Sequence, residues 1–295
     1  MSKNLARGLS IIVVGAVLAV TVVGVAAASG HQNTEPNKAV DPYFAVATTP
    51  DAAIAAVKAI VETPVRSLAA GGMAAPTQRT TDLTASGPYD GDLFRYYKVI
   101  GRDVYAMVDV HDSHVASLVL ANCAPTGYSG SSISPDKAMA IASDYLAAHG
   151  VSTDSLAPVV VAKDRGEVKT FQVTWQKTIN SAEVPDLRFV ELDASTGIVF
   201  VMRNASRPYS TPPAASVSAN DAVSRAEQAV IGLDGPAVTK PAFSVSETKL
   251  QVAFSASGSQ QLIWQVMVRR TDLGQRADAF VVTVDAMTGK TVVMQ

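Results

Sequence analysis

The chain has 295 residues, 48% of them hydrophobic and 17% charged, so it can bury a substantial core and is not globally disordered. At about 100–150 residues per domain, that length has room for two or three small domains. Its 24 Lys and Arg against 26 Asp and Glu leave a formal charge of −2, with no basic surplus to neutralise a phosphate backbone, so nucleic acid is not an expected partner. One cysteine cannot form an intramolecular disulfide or a multi-cysteine metal knuckle, and four histidines leave most metalloenzyme plans short of ligands.

Met1–Gly8 carries Lys3 and Arg7 and no acid, and Leu9–Ala28 then runs without a charged residue. Those twenty residues would cover about 30 Å as a helix, the thickness of the hydrocarbon core. The positive flank stays in the cytoplasm, which predicts a single-pass protein of the cell membrane with the bulk of the chain extracytoplasmic. Ala26-Ala27-Ala28 also offers the small-x-small pattern of a cleavage site, and cleavage after Ala28 would make the protein secreted. Its apolar stretch is longer than the roughly 7–15 residues of a cleaved signal, which favours a retained anchor. Residues 1–29 are thus a signal anchor or signal peptide, and 30–47, polar at first and with two prolines, a tether.

Beyond the tether the sequence repeats itself. Thr49-Pro50-Asp51-Ala52-Ala53, Ser134-Pro135-Asp136-Lys137-Ala138 and Ser218-Ala219-Asn220-Asp221-Ala222 are three helix openings, spaced 134 − 49 = 85 and 218 − 134 = 84 residues apart. Each starts with a hydroxyl that can accept from an otherwise unpaired first-turn amide, and two place proline where its missing N–H costs nothing. Asp221, three residues after Ser218, makes a weaker capping box. Helical stripes follow: Ala53, Ala56, Val57 and Ile60; Ala138, Ile141, Ala142, Tyr145 and Leu146; Ala222, Ala226, Ala229 and Val230. Pro64, Gly150 and Gly232 are the expected stops. Behind each helix come strand signals. Phe171–Gln176 and Trp264–Arg269 alternate, while Arg188–Asp193 and Phe280–Asp285 run into the turns Ala194-Ser195-Thr196-Gly197 and Ala286-Met287-Thr288-Gly289. Aspartate opens such turns by bonding their amides, and glycine closes them by accepting positive φ. Asp109 stands 193 − 109 = 84 residues before Asp193, but the closing glycine of that first copy is lost. The expectation is α+β architecture in three units, each one helix on an antiparallel sheet, over 48–122 (degenerate), 133–204 and 216–295. Gly, Pro and Ser-rich linkers fall at 123–132 and 205–215.

A hydroxyl-led, alanine-rich helix, a strand with tryptophan and a Val-x-Val-Asp-Ala-x-Thr-Gly turn together resemble the PepSY domain. The match is best over 217–295, through Ser218, Asp221, Ala222, Trp264, Val282, Val284, Asp285, Ala286, Thr288 and Gly289. It is good over 133–204, through Ser134, Ala138, Trp175, Leu192, Asp193, Thr196 and Gly197. In 48–122 only the helix opening and Asp109 carry over. The resemblance implies tandem cystatin-like modules following the N-terminal transmembrane helix. It also implies a non-catalytic protein that binds a peptidase or cell-wall hydrolase and inhibits or stabilises it. Since no peptidase follows the last strand, such restraint would act on a separate protein. A structural stalk of the envelope is the alternative.

Candidate chemistry is sparse. His111-Asp112-Ser113-His114 is the densest group of potential ligands, two imidazoles three apart with Asp112 as a third donor, and reads as a solvated polar turn. Gly127-Tyr128-Ser129-Gly130-Ser131 lacks the second glycine of a nucleophile elbow and reads as linker. Asp193 with Thr196 and Asp285 with Thr288 recur at equivalent turns, which favours structure over acid–base work. Trp175 and Trp264 are expected in the core. Cys123 would lie in a linker, free or bridging to another molecule. No catalytic, cofactor or metal residue is assigned.

Overall fold

The computed structural model describes residues 46–62, 80–91, 93–123, 131–165, 168–234, 242–255, 258–271 and 279–294. Helix α1 (Pro50–Glu62) is followed by strands β1 (Thr84–Asp90), β2 (Arg95–Ile100), β3 (Val104–Asp109) and β4 (Val115–Leu120). Helix α2 (Pro135–Ala148) precedes β5 (Pro158–Arg165), β6 (Val168–Ile179), β7 (Ala182–Asp193) and β8 (Val199–Ser206). Helix α3 (Ala219–Asp234) precedes β9 (Phe243–Phe254), β10 (Gln260–Arg270), β11 (Ala279–Asp285) and β12 (Thr291–Met294).

The three helices begin where the hydroxyls stand. Thr49 Oγ1 accepts from the Ala52 amide at 3.2 Å, and Ser134 Oγ accepts from the Lys137 amide at 3.2 Å. Ser218 Oγ accepts from the Asp221 amide at 3.1 Å and donates to Asp221 Oδ2 at 2.8 Å, closing the capping box. Helix α2 stops at a left-handed Gly150 (φ 71°). Helix α3 does not stop at Gly232; it runs on to Asp234. Gly232 is exposed, and a Cβ there would meet nothing within 4 Å, so the helix tolerates it at only the entropic cost of a glycine. Pro64 lies outside the described residues.

The expectation of tandem cystatin-like modules, each with its own sheet, is overturned. All the described strands belong to one 12-stranded mixed sheet, ordered β1-β2-β3-β4-β8-β7-β9-β10-β11-β12, with β5 and β6 branching from β7. Two joints make it continuous. Strand β4 pairs antiparallel with β8 through Ser117–Arg203, Leu118–Met202 and Val119–Val201, so two would-be edges satisfy each other's backbone groups. Strand β7 meets β9 in a parallel bridge, Glu183 to Gln251, beside which Lys249 Nζ lies 4.0 Å from Glu183 and 2.8 Å from Glu247. The expected membrane helix, residues 9–28, lies outside the described residues. Among the described residues no helix is long and apolar enough to cross a membrane.

The cores follow the joints rather than the repeats. Helices α1 and α2 lie over one shared cluster, in which Val57, Val99, Val108 and Leu118 join Leu146, Trp175, Leu192 and Met202. Helix α3 covers a core of its own with Ala222, Ala226, Val230, Val266, Val268 and Val282. A third cluster sits at the junction and draws Leu93, Phe94, Ala116, Val184, Leu250, Phe254 and Leu262 together from all three parts of the chain. Arg207 is buried there, its Nη1 donating to the Leu93 carbonyl at 2.8 Å while its guanidinium lies 3.7 Å over the Phe254 ring.

Candidate functional site

Two features of this sheet bear on function: the turns that follow β3, β7 and β11, and the free strand edges.

The three turns share one backbone plan. The amides of Asp109, Asp193 and Asp285 donate to the carbonyls five residues on, at His114 (2.9 Å), Ile198 (2.9 Å) and Lys290 (2.8 Å). Each Asp carbonyl accepts from the residue four on: Ser113 (3.1 Å), Gly197 (2.9 Å) and Gly289 (2.8 Å). That fourth residue is left-handed in all three, with φ of 66°, 75° and 77°. Ser113 therefore occupies the place of the missing glycine and takes the strained conformation itself, its Oγ lying 2.5 Å from Thr48 Oγ1. The carbonyl of the residue after each Asp accepts from the segment leading into a helix: Val110 from Thr48, Ala194 from Ile133 and Ala286 from Val217. The turns thus hold helix and sheet together through main-chain bonds.

The side chains divide the turns. Asp193 Oδ1 accepts from the Ser195 amide (2.9 Å) and hydroxyl (2.6 Å) and from the Thr196 amide (2.6 Å) and hydroxyl (2.8 Å). Burial alone would raise its pKa, but these donors outweigh it and hold the carboxyl below its ordinary value. Asp285 is likewise lowered: burial pushes up, and the Thr288 and Met287 donors, with the charge of Lys290, pull down further.

In the first turn only one of these donors remains. Asp109 Oδ1 accepts only from the His111 amide, at 2.7 Å, while Oδ2 is buried without a hydrogen-bond partner among the described residues. Where the sister turns have threonine stands Asp112, a second carboxylate. His114 follows, its Nδ1 2.6 Å from Asp112 Oδ1 and 3.9 Å from Asp109 Oδ2. The ligand atoms of Asp109, Asp112 and His114 all lie within 4.8 Å of one another. Their side chains are respectively 0%, 50% and 19% exposed, so the group opens to solvent on the Asp112 side. His114 Nε2 lies 3.1 Å from the Asn204 carbonyl oxygen on β8, and its ring is 6.0 Å from that of Phe94. A carbonyl can only accept, so Nε2 carries a hydrogen. Burial pushes the Asp109 carboxyl up and leaves it raised, although the His111 amide and the His114 imidazole pull down. Burial also pushes Asp112 up, but the His114 amide and ring outweigh it and leave its carboxyl lowered. Leaving a buried acceptor such as Asp109 Oδ2 unpaired costs about 1–3 kcal/mol.

The sequence-based pair of imidazoles does not form the group: Asp109 joins Asp112 and His114, and His111 contributes its backbone amide. The signal that finds Asp109 is the alignment of the three turns, which shows an acid in place of the donor at the third position.

Among the described residues the free edges are β1, β12 and β5, each paired on one side only. Strand β5 is flush with β6 along its whole length, from Pro158 opposite Trp175 to Arg165 opposite Val168. Its Val160 packs on the shared core, while Val159 and Val161 are 61% and 38% exposed. The first half of this edge, Pro158–Ala162, is apolar and, among the described residues, is paired on one side only, so it can serve as a template for a strand of another chain.

Trp175 is buried under α2, at 2% exposure. Trp264 is half-buried between the junction and the α3 core, and its Nε1 donates to the Val217 carbonyl at 2.8 Å, a tie between β10 and the start of α3. Cys123 is buried in the shared core at 6% exposure in a short turn of helix after β4, not presented for a bridge to another molecule. Burial, with Cys123 close by, pushes the Tyr145 hydroxyl far above its ordinary value. The segment 127–130 lies outside the described residues. Unforeseen from sequence is a buried polar row on β6 and β7, where Thr170 Oγ1 donates to Glu191 Oε1 at 2.8 Å beside Gln172, 1% exposed.

No family model matches the chain, and no curated protein does. Among solved structures it is similar to the Bacillus megaterium YpeB C-terminal domain, with 13% identity over 84% of this chain and 98% of that chain, at a TM-score of 0.36.

Proposed function

We propose that this chain is a non-catalytic, extracytoplasmic binding protein that restrains or stabilises a separate hydrolase or peptidase of the cell envelope, and that the partner adds a strand to β5. The observation that carries the reading is that edge: among the described residues the strand over Val159–Lys163 pairs with β6 alone, and it leaves Val159 and Val161 exposed at 61% and 38%. Strand addition draws affinity from the row of outward backbone groups and specificity from alternate side chains. The PepSY-like residues of 133–204 and 217–295 support the same reading, since they shape turns and caps. The uncharged run 9–28 behind Lys3 and Arg7 supports a place at the membrane with the sheet outside.

A photo-crosslinking residue at Val159, in intact cells, tests this directly. The expected product joins the chain to an envelope hydrolase, and Val161→Lys on the same chain reduces its yield at least fivefold. Products without any hydrolase contradict the reading. A structural stalk is the second reading, favoured by the continuity of the sheet through β4–β8 and β7–β9. Crosslinks to envelope structural proteins alone would select it.

A further inference from the structure

We propose that Asp109, Asp112 and His114 hold a divalent transition-metal ion, zinc foremost, and that the ion braces the β3–β4 turn around the His114 ring, which itself reaches β8 through the Asn204 carbonyl. Three acceptors converge at this turn. Nε2 of His114 is committed to the Asn204 carbonyl at 3.1 Å, so Nδ1 is the ring atom that faces the two carboxylates. A proton on Nδ1 serves Asp112, at 2.6 Å, and leaves Asp109 Oδ2 buried and unserved 3.9 Å away. A divalent ion between them serves all three. The neutral ring held by a backbone carbonyl on its far nitrogen is the arrangement in which metal-binding histidines are oriented.

The donor set selects the ion. One imidazole nitrogen with two carboxylates suits zinc and its neighbours, whereas calcium and magnesium prefer oxygen alone. Ligand distances of about 2.0–2.2 Å ask the donor atoms to lie roughly 3.2–3.5 Å apart. Rotation of Asp112, which is 50% exposed and on the open side, brings its own oxygen to that spacing, and the 3.9 Å between His114 Nδ1 and Asp109 Oδ2 closes by about half an ångström.

The sister turns supply the contrast. Asp193 and Asp285 spend their Oδ1 atoms on the amides of Thr196 and Thr288 and present no second acid or imidazole. The substitutions that mark the first turn, threonine to Asp112 and Ile198 or Lys290 to His114, both bring a metal ligand.

The test is calorimetric titration of the full chain in detergent micelles, stripped with EDTA and dialysed, with zinc chloride as the only ligand. One zinc ion per chain is expected to bind. His114→Gln and Asp112→Asn are expected to weaken binding at least tenfold, while His111→Gln and His31→Gln stay within twofold of the unmodified chain. Cobalt as a second probe should give visible absorption bands with the unmodified chain and none with His114→Gln. Asp109→Asn belongs in the series with its fold checked by circular dichroism; if it unfolds, His114→Gln and Asp112→Asn, on the exposed side, decide the outcome. Absence of saturable one-to-one binding overturns the proposal. So does full affinity in His114→Gln and Asp112→Asn, or loss of binding with His111→Gln or His31→Gln instead.

Discussion

The turn at Asp109–His114 and the turn at Asp193–Ile198 share a backbone and differ in their side chains. Both begin with a buried aspartate and both place a left-handed residue four positions on, yet one carboxylate collects four donors while the other keeps an unpartnered oxygen. The difference shows that backbone geometry in this chain is secured by main-chain bonds, and that the side chains are free to diverge once those bonds are made. In the second and third turns they serve the aspartate. In the first they gather around it as further acceptors.

Substitutions at the two turns put that contrast to the test. The largest effect is expected from Asp193→Ala, which removes the acceptor from two amides and two hydroxyls and should cost about 2–3 kcal/mol in urea unfolding. Asp109→Asn should cost clearly less, because only the His111 bond depends on that side chain. Equal losses in the two variants would erase the distinction. Next come the left-handed positions. Gly197→Ala should cost about 1–2 kcal/mol through positive φ, whereas Ser113→Gly should gain less than about 1 kcal/mol, offset by its lost contact with Thr48. A destabilised Ser113→Gly would show that the hydroxyl contact outweighs the strain.

The smallest effect is in pH dependence. Asp193 and Asp285 have folded pKa values below their ordinary 3.8, so the unfolded chain binds more protons in acid. Their contribution is present above the ordinary carboxylate range and is lost as the pH falls through the folded values. The double variant Asp193→Asn, Asp285→Asn should therefore lose less stability between pH 7 and pH 3 than the unmodified chain. An identical acid limb would contradict the assignment.

Local structure is legible in the sequence because local rules govern it. Thr49, Ser134 and Ser218 cap the three helices that their hydroxyls announce, and the aspartate turns fall where the repeats place them. What is not legible depends on partners distant in the chain. Nothing in Val115–Leu120 or Val199–Ser206 announces that these strands pair, since either would read equally well as a free edge. Each unit is self-sufficient in pattern, so the repeats point to separate sheets where the chain builds a single one. Asp109 reads as a turn former, and its orphaned oxygen emerges only when His114 is held from β8 by Asn204. The left-handed Ser113 is similar: residue type favours glycine there, and the fold imposes φ of 66° regardless.

Hydrogen exchange of the full chain, read by mass spectrometry at the strands of the joints and edges, tests the continuous sheet and its free edge together. The account predicts that the paired amides of Ser117–Val119 and Val201–Arg203 exchange as slowly as those of β6–β7, and that alternate amides of Val159–Lys163 exchange within seconds. Fast exchange across β4 and β8 would mean that the sheet is divided there and would contradict it.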